Sequence, residues 1–229
     1  MAGNIVRRVD RWVVVQRVLA SVSDKTGLDR LVPALVEINP AVRFYSTGGT
    51  FDAIRRILGE SGAARNLTQV SEYTGRPETQ GGLVKTLDFK IYLGLLTETH
   101  NDAHRADLRR VGAVPIDMVV ANLYPFRETV AGQGVTVEAA RANIDIGGPC
   151  MVRAAAKNYL RVASVVDPAD YGRVVEALRT SGGRLDIGVR YDLARKAFAH
   201  TAAYDSAIAA WLGSASEDSM RGCYEFADA

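Results

Sequence analysis

The chain has 229 residues, of which 48% are hydrophobic and 24% are charged, a composition that predicts one globular domain of ordinary size. The 28 Lys and Arg residues nearly balance the 26 Asp and Glu residues, so charge gives no reason to expect nucleic acid or a membrane as a partner. We find no signal-peptide pattern and no apolar run of membrane-spanning length, so we expect a cytoplasmic protein. The two cysteines predict neither a disulfide framework nor a metal site.

The first part of the chain alternates predicted strands with predicted helices. After a basic leader, residues 1–16, which we expect to be loosely held, residues 18–22 have the pattern of a buried strand. A helix should follow, and it should stop at Asn39-Pro40. Residues 43–45 form a second predicted strand, and the helix after it should close at Ser61-Gly62. This alternation predicts a mostly parallel sheet with helices on both faces.

Polar loops follow both of these predicted strands. They read Ser23-Asp24-Lys25-Thr26 and Thr47-Gly48-Gly49-Thr50. Both loops should lie at the carboxyl edge of the sheet, where open α/β sheets bind ligands. Hydroxyls, glycine amides, a helix N-terminus and a lysine together favour a phosphate site, although each loop could also be an ordinary capped turn.

The middle of the chain has a less regular pattern. Residues 66–82 are rich in polar residues and glycine, which predicts an exposed loop. Lys85 and Thr86 lie where this loop returns to a structured segment, so they could reach the same anion. We predict a solvated helix over residues 101–111. We assign no metal to His100 and His104, because two histidines alone make a poor site.

Residues 116–121 are predicted to form a central strand, since they are apolar except for Asp117. Asn122 and Tyr124 follow at the carboxyl end of that strand. The Tyr124 hydroxyl could donate a hydrogen bond into a cleft, or the side chain could simply lie at the rim of the sheet.

The most informative stretch reads Asn143-Ile144-Asp145-Ile146-Gly147-Gly148. Asp145 lies between two isoleucines, and partial desolvation should raise the pKa of its carboxyl group. The glycine pair lets backbone amides approach a ligand, and a helix that begins there favours negative charge. Lys157 lies at the far end of that predicted helix. A capped helix whose aspartate only satisfies local amides is an equally compatible interpretation.

The C-terminal part predicts a buried strand over residues 162–166, a helix from Asp167 through Leu178, and one long helix or two over residues 189–212. The expected organisation is therefore a leader (1–16), one α/β domain with a helical C-terminal extension (17–212) and a frayed tail (213–229).

Seven motifs occur in order within residues 18–212: 21–27, 46–50, 84–87, 122–126, 143–149, 154–158 and 196–204. Together they closely resemble the amino-terminal inosine monophosphate (IMP) cyclohydrolase domain of the bifunctional purine-biosynthesis enzyme. The resemblance implies a methylglyoxal-synthase-like fold, a homodimer, and closure of the purine ring of 5-formamidoimidazole-4-carboxamide ribotide with loss of water. It implies no cofactor and no metal, and a stand-alone enzyme that a separate formyltransferase supplies with substrate.

The resemblance also implies roles for individual residues. The nucleotide would be held by Ser23, Asp24, Lys25, Thr26, Thr47, Gly48, Gly49, Thr50, Thr86, Asn122, Ile146 and Gly147. Asp145 would accept a proton from the attacking amide or orient it, while Lys85 and Tyr124 would stabilise negative charge on the former formyl oxygen. Lys157, with its charge balanced by Asp145, would supply the proton that lets water leave.

One motif departs from the family pattern. The usual Gly-Arg-Val-Lys-Thr-Leu-His-Pro run reads here Gly82-Leu83-Val84-Lys85-Thr86-Leu87-Asp88-Phe89. Leu83 replaces an arginine expected to bind the phosphate, which should weaken binding unless another cation such as Arg76 substitutes. Two alternatives stay open: a phosphosugar lyase of the methylglyoxal-synthase type, and a non-catalytic module that senses a purine nucleotide.

Overall fold

A computed structural model describes residues 5–77 and 86–227 of the chain. Its strands are β1 (Trp12–Val14), β2 (Arg17–Val22), β3 (Arg43–Ser46), β4 (Leu67–Gln69), β5 (Met118–Asn122), β6 (Ala163–Val165) and β7 (Arg184–Asp186). Its helices are α1 (Leu28–Ile38), α2 (Gly48–Asn66), α3 (Val70–Thr74), α4 (Phe89–Leu96), α5 (Asp102–Val111), α6 (Phe126–Val130), α7 (Val137–Ala142), α8 (Gly147–Lys157), α9 (Tyr171–Thr180), α10 (Ile187–Ser214) and α11 (Glu217–Arg221).

The described residues form a five-stranded parallel sheet in the order β4-β3-β2-β5-β6. The order reverses direction at β2, because the chain first adds β3 and β4 on one side and then β5 and β6 on the other. In open α/β sheets, the crevice at the carboxyl ends of the strands on either side of such a reversal is the usual place for a ligand. The carboxyl ends of β2, β3 and β5 therefore define where a site is expected.

Successive residues of the central strand β2 face two different hydrophobic cores. Val18 and Ala20 pack with residues of α1, α2 and α9, whereas Leu19 packs with residues of α4, α8 and α10. Because helices cover both faces of the sheet, residues 18–20 of β2 and residues 118–121 of β5 are all buried and apolar, as a buried parallel sheet requires. The predicted three-layer α/β fold with a helical C-terminal extension is confirmed.

The amino-terminal segment is bound more firmly than the expected loose leader. Strand β1 pairs antiparallel with β7. The Arg190 side chain, which is fully buried, donates hydrogen bonds from Nη2 to the Asp10 carbonyl oxygen at 2.7 Å and from Nη1 to the Arg11 carbonyl oxygen at 3.2 Å. A three-residue strand gives too short a pattern for the sequence to reveal, and its partner lies far along the chain. The domain boundaries themselves remain a prediction.

Three further expectations about local structure were wrong. The stretch after α2 is not simply a loop, because β4 and α3 lie within it and bury Leu67 and Val70. Helix α2 also continues to Asn66 across a kink at Gly59, whose φ of 66° breaks the helical geometry. The expected frayed tail contains α11, and the Tyr224 hydroxyl donates to Glu138 Oε2 at 2.6 Å. Single apolar residues in polar surroundings gave no period from which these contacts could be predicted.

The buried Asp117 is paired with Arg161, whose Nη1 lies 3.0 Å from Asp117 Oδ1. The other carboxylate oxygen accepts hydrogen bonds from the backbone N–H groups of Gln16 at 3.1 Å and Arg17 at 2.9 Å. The single charge in the predicted strand thus joins β5 to the start of β2 and to the loop before β6, and it is compensated at both oxygens.

Among the described helices, none has both the length and the apolar character that crossing a membrane demands.

Candidate active site

A cleft of about 430 Å³ lies at the carboxyl edge of the sheet, between the loops that follow β2, β3 and β5 and the N-terminal ends of α2 and α8. Many of the residues predicted from the sequence line it together: Ser23, Lys25, Thr47, Gly48, Gly49, Thr50, Thr86, Asn122, Tyr124, Asp145, Ile146 and Gly147. Parallel strands bring these distant stretches to one edge. The cleft therefore lies where the strand order reverses.

The floor of the cleft is suited to an anion. Helix α2 begins at Gly48, which has a left-handed φ of 51°, and its first intrahelical hydrogen bond runs from the Phe51 N–H to the Thr47 carbonyl oxygen. The amides before Phe51 therefore point out of the helix start. The ammonium group of Lys25 lies beside them, since a Cβ placed on Gly49 would be 3.7 Å from Lys25 Nζ. A helix N-terminus with an adjacent lysine attracts a phosphate.

Thr50 holds together the loops that follow β2 and β3, which we call the phosphate loops after their predicted ligand. The Val22 N–H donates to Thr50 Oγ1 at 3.0 Å, and Thr50 Oγ1 donates back to the Val22 carbonyl oxygen at 3.0 Å. The hydroxyl hydrogen is therefore already used, and Thr50 can offer an anion only its backbone N–H. The residue is in the cleft as predicted, but its side chain is structural.

Asn122 has a similar structural role. Its Oδ1 accepts a hydrogen bond from the Asp24 N–H at 2.8 Å, and its Nδ2 donates to the Asp24 carbonyl oxygen at 2.8 Å. These paired bonds fix the loop after β2 to the end of β5. The Asp24 carboxylate accepts from the Thr26 N–H at 2.9 Å, and hydrogen bonding with Thr26 lowers the pKa of Asp24. Neither Asp24 nor Thr26 is among the described residues that line the cleft, and their contact with a nucleotide stays a prediction.

Asp145 lies half-buried in the turn before α8. Its Oδ1 accepts a hydrogen bond from the Gly148 N–H at 2.8 Å, and its own backbone N–H donates to the Tyr204 hydroxyl at 2.8 Å. Burial raises the pKa of the carboxyl group, as predicted, while hydrogen bonds from the Gly148 and Tyr124 amides partly offset this rise. A carboxyl group whose pKa is raised can accept a proton as a base and return it as an acid.

The glycine pair is explained by steric crowding around this turn. A Cβ on Gly148 would lie 2.4 Å from Asp145 Oδ2 and 2.8 Å from Leu123 Cδ2. A Cβ on Gly147 would lie 2.8 Å from Thr86 Oγ1. All three distances are below 3.0 Å, so a side chain at either position would force a neighbouring group to shift. The two glycines therefore allow α8 to start directly against the carboxylate and the Thr86 hydroxyl.

The remaining predicted catalytic residues have different positions. Tyr124 is 50% exposed at the rim of the cleft, whereas Lys85 lies outside the described residues. Lys157 is exposed at the last residue of α8, and an eleven-residue helix places it about 15 Å from the helix start. Within one chain the structure does not bring Lys157 to Asp145, so the predicted charge balance between them is not made.

Sequence reasoning gave no role to Tyr204, which binds the Asp145 turn from α10. The motif at residues 196–204 was the available signal, but the contact spans 59 residues of sequence.

In the part of the chain that the structure describes, no three His, Cys, Asp or Glu side chains are grouped to hold a metal ion. The described part of the cleft instead offers amides, hydroxyls, one lysine and one carboxylate, a set that can hold a phosphorylated ligand and move a proton.

Comparisons with known proteins place these features in a family. A family model described as MGS-like domain matches residues 27–150, and one described as AICARFT/IMPCHase bienzyme matches residues 155–227. The bifunctional purine biosynthesis protein PurH of Magnetococcus marinus is 50% identical over 210 residues, and that of Synechococcus sp. strain CC9605 is 46% identical over 205 residues. These matches cover 92% and 90% of the chain but only 38% of each relative.

A solved structure agrees with these sequence matches. A crystal structure of ForH superposes with a TM-score of 0.74 and 31% identity, and the match covers 86% of this chain and 97% of that chain. The MGS-like match spans more than half of this chain and includes the loops after β3 and β5 and the Asp145 turn. The chain therefore belongs to the MGS-like domain family.

Proposed function

We propose that the chain closes the purine ring of 5-formamidoimidazole-4-carboxamide ribotide to give IMP and water. The observation that carries the proposal is the half-buried carboxyl group of Asp145, which lies in the same cleft as a helix N-terminus and Lys25. The similarity to bifunctional purine biosynthesis proteins supports the choice of substrate. Because the chain spans little more than a third of those relatives, its activity is inferred here from its own residues.

The 5′-phosphate of the ribotide would bind at the start of α2. The amides of Gly48, Gly49 and Thr50 and the ammonium group of Lys25 supply donors and positive charge there. The attacking amide and the formyl group already belong to one molecule, so anchoring the phosphate orients both of them in the cleft. Positioning of this kind can supply much of the rate enhancement.

The imidazole ring and its substituents would then face the Asp145 turn. The carboxamide nitrogen attacks the formyl carbon and loses one proton to the Asp145 carboxylate. The formyl oxygen becomes an oxyanion, which the Tyr124 hydroxyl and Lys85 stabilise. It gains two protons and leaves as water, while the formamido nitrogen loses its proton and the ring C–N double bond forms. Asp145 can return its proton during this second step, because burial raises the pKa of its carboxyl group.

We propose a homodimer, in which a second copy supplies Lys157. Lys157 and Asp145 lie at opposite ends of α8, so the acid role of Lys157 requires the lysine of another chain. Mixing inactive Asp145→Asn and Lys157→Ala variants tests this arrangement. Random exchange of subunits should restore up to about a quarter of the wild-type activity, since half of the dimers then contain one intact site. No recovery after verified exchange would contradict a shared site.

The proposed reaction can be tested by mixing the purified chain with the formamido ribotide and following purine absorbance. The Asp145→Asn variant is the matched control. Turnover by the wild type and its loss in the variant are the expected results. Binding without turnover would instead support a nucleotide sensor, and consumption of dihydroxyacetone phosphate without ring closure would support a phosphosugar lyase; either result contradicts the proposal.

A further inference from the structure

Helix α10 contacts the carboxyl edge of the sheet through one face. Lys196, His200 and Tyr204 recur every four residues, so they lie on the same side of the helix, and they border a depression of about 380 Å³ beside the candidate cleft. Lys196 Nζ donates to Asp167 Oδ2 at 2.6 Å and lies 2.8 Å from Asp170 Oδ2, both in the segment after β6. Asn122 and Tyr124 line both the depression and the cleft. This face of α10 therefore supports the loops that build the cleft.

We propose that Tyr204 is a positioning residue, which fixes the Asp145 turn so that its carboxylate faces the reacting amide. This inference rests on the proposed function. The Tyr204 hydroxyl accepts the Asp145 N–H at 2.8 Å and donates to the Asn143 carbonyl oxygen at 3.4 Å. The side chain is only 8% exposed, and its ring packs edge-on against buried Phe126 with a centroid separation of 6.2 Å. The hydroxyl is thus held in place by α10 and by the core beneath it.

The Asp145 turn is held at two points as a result. Tyr204 binds the backbone at Asn143 and Asp145, and the Gly148 N–H binds the carboxylate at 2.8 Å on the other side of the turn. A carboxylate with both its backbone and one oxygen fixed retains little freedom to rotate. Loss of the Tyr204 contact would open the turn to water, which should lower the pKa of Asp145 towards its ordinary value.

The location of Tyr204 relative to the family matches supports a role specific to this reaction. The MGS-like match ends at residue 150, whereas Tyr204 lies within the bienzyme match over residues 155–227. The contact therefore joins the Asp145 turn, which the MGS-like match includes, to helix α10, which that match does not include. Within the described residues, Tyr124 on the loop after β5 and Asp205 on α10 are the other titratable groups that act on Tyr204.

A Tyr204→Phe variant tests the inference, with Tyr191→Phe as the matched control on an exposed part of the same helix. We expect Tyr204→Phe to lower kcat between about twofold and tenfold, the effect of one neutral hydrogen bond, and to change KM less because the phosphate loops remain intact. The acid limb of its pH profile should move to lower pH. Tyr191→Phe should match the wild type in all three quantities.

A second readout does not depend on turnover. Titration of the Asp145 carboxyl group by carbon-13 NMR should give a lower pKa in Tyr204→Phe than in the wild type and in Tyr191→Phe. An unchanged Asp145 titration in Tyr204→Phe would overturn the inference, as would wild-type kcat and an unmoved acid limb. Failure of the wild type to turn over the ribotide would refute the proposed function instead, and the titration would still decide whether Tyr204 holds the carboxyl group.

Discussion

Replacing Gly148 by alanine should displace the Asp145 carboxylate without removing it. The added Cβ would lie 2.4 Å from Asp145 Oδ2 and 2.8 Å from Leu123 Cδ2, whereas an ordinary contact needs at least about 3.4 Å. One of these groups must therefore move by about 1 Å. A shift of that size in a catalytic group costs about a hundredfold in rate, so we expect kcat to fall by that factor.

The same substitution should lower ligand affinity much less than kcat, and it should lower stability by a moderate amount. Overpacking of this kind costs about 1–3 kcal/mol of unfolding free energy, and the phosphate loops after β2 and β3 are untouched. Measurements of kcat, of IMP affinity by calorimetry and of the unfolding midpoint separate the three effects. Gly213→Ala is the matched control, since among the described residues a Cβ there would meet no heavy atom within 4 Å.

Two results would refute this reasoning. A folded Gly148→Ala variant with near wild-type kcat would show that the position of the Asp145 carboxylate does not limit the reaction. A loss of IMP affinity as large as the loss of kcat would show that the crowded turn serves binding of the ground state rather than proton transfer.

Three further changes test separate parts of the account. Asp145→Asn should lower kcat at least about a hundredfold. The kcat of the wild type should fall as the pH drops through the raised pKa of Asp145, because the base must be ionised. If the Asp145→Asn variant kept this fall in kcat at low pH, the titrating group would be another residue. Thr50→Val should lower the unfolding free energy by about 1–3 kcal/mol, because it leaves the buried Val22 N–H unpaired. Chemical denaturation measures this quantity. Unchanged stability would argue against the hydrogen bond between Val22 and Thr50. Arg161→Met should lower the unfolding free energy by about 3–5 kcal/mol at neutral pH and by less in acid. Burial raises the pKa of Asp117, and protonation removes the charge that the variant leaves unpaired. Chemical denaturation at both pH values measures the difference, and an equal loss of unfolding free energy at both would contradict this reasoning.

The arrangement of the site was predictable where chemistry and local pattern agree. Serine, threonine and glycine directly after an apolar run mark the carboxyl end of a parallel strand, so the loops at Lys25 and Gly48 could be placed in one cleft. Two isoleucines beside Asp145 were enough to predict the direction of its pKa shift. These inferences need only neighbouring residues and the rule that parallel strands share one edge.

Contacts between distant residues could not be predicted in this way. Strand β1 is three residues long, and its register with β7 depends on tertiary packing around Arg190. The structural use of the Thr50 hydroxyl likewise depends on how closely two strands approach. For Lys157, the predicted helix already implied a separation of about 15 Å from Asp145, so helix geometry opposed a direct pair within one chain.

A crystal structure of the chain with bound IMP would show directly how the nucleotide lies in the cleft. We expect the 5′-phosphate within hydrogen-bonding distance of the Gly48, Gly49 and Thr50 amides, with the pyrimidine ring of the purine beside the Asp145 carboxylate. A nucleotide bound in the reverse orientation, or outside this cleft, would contradict the account.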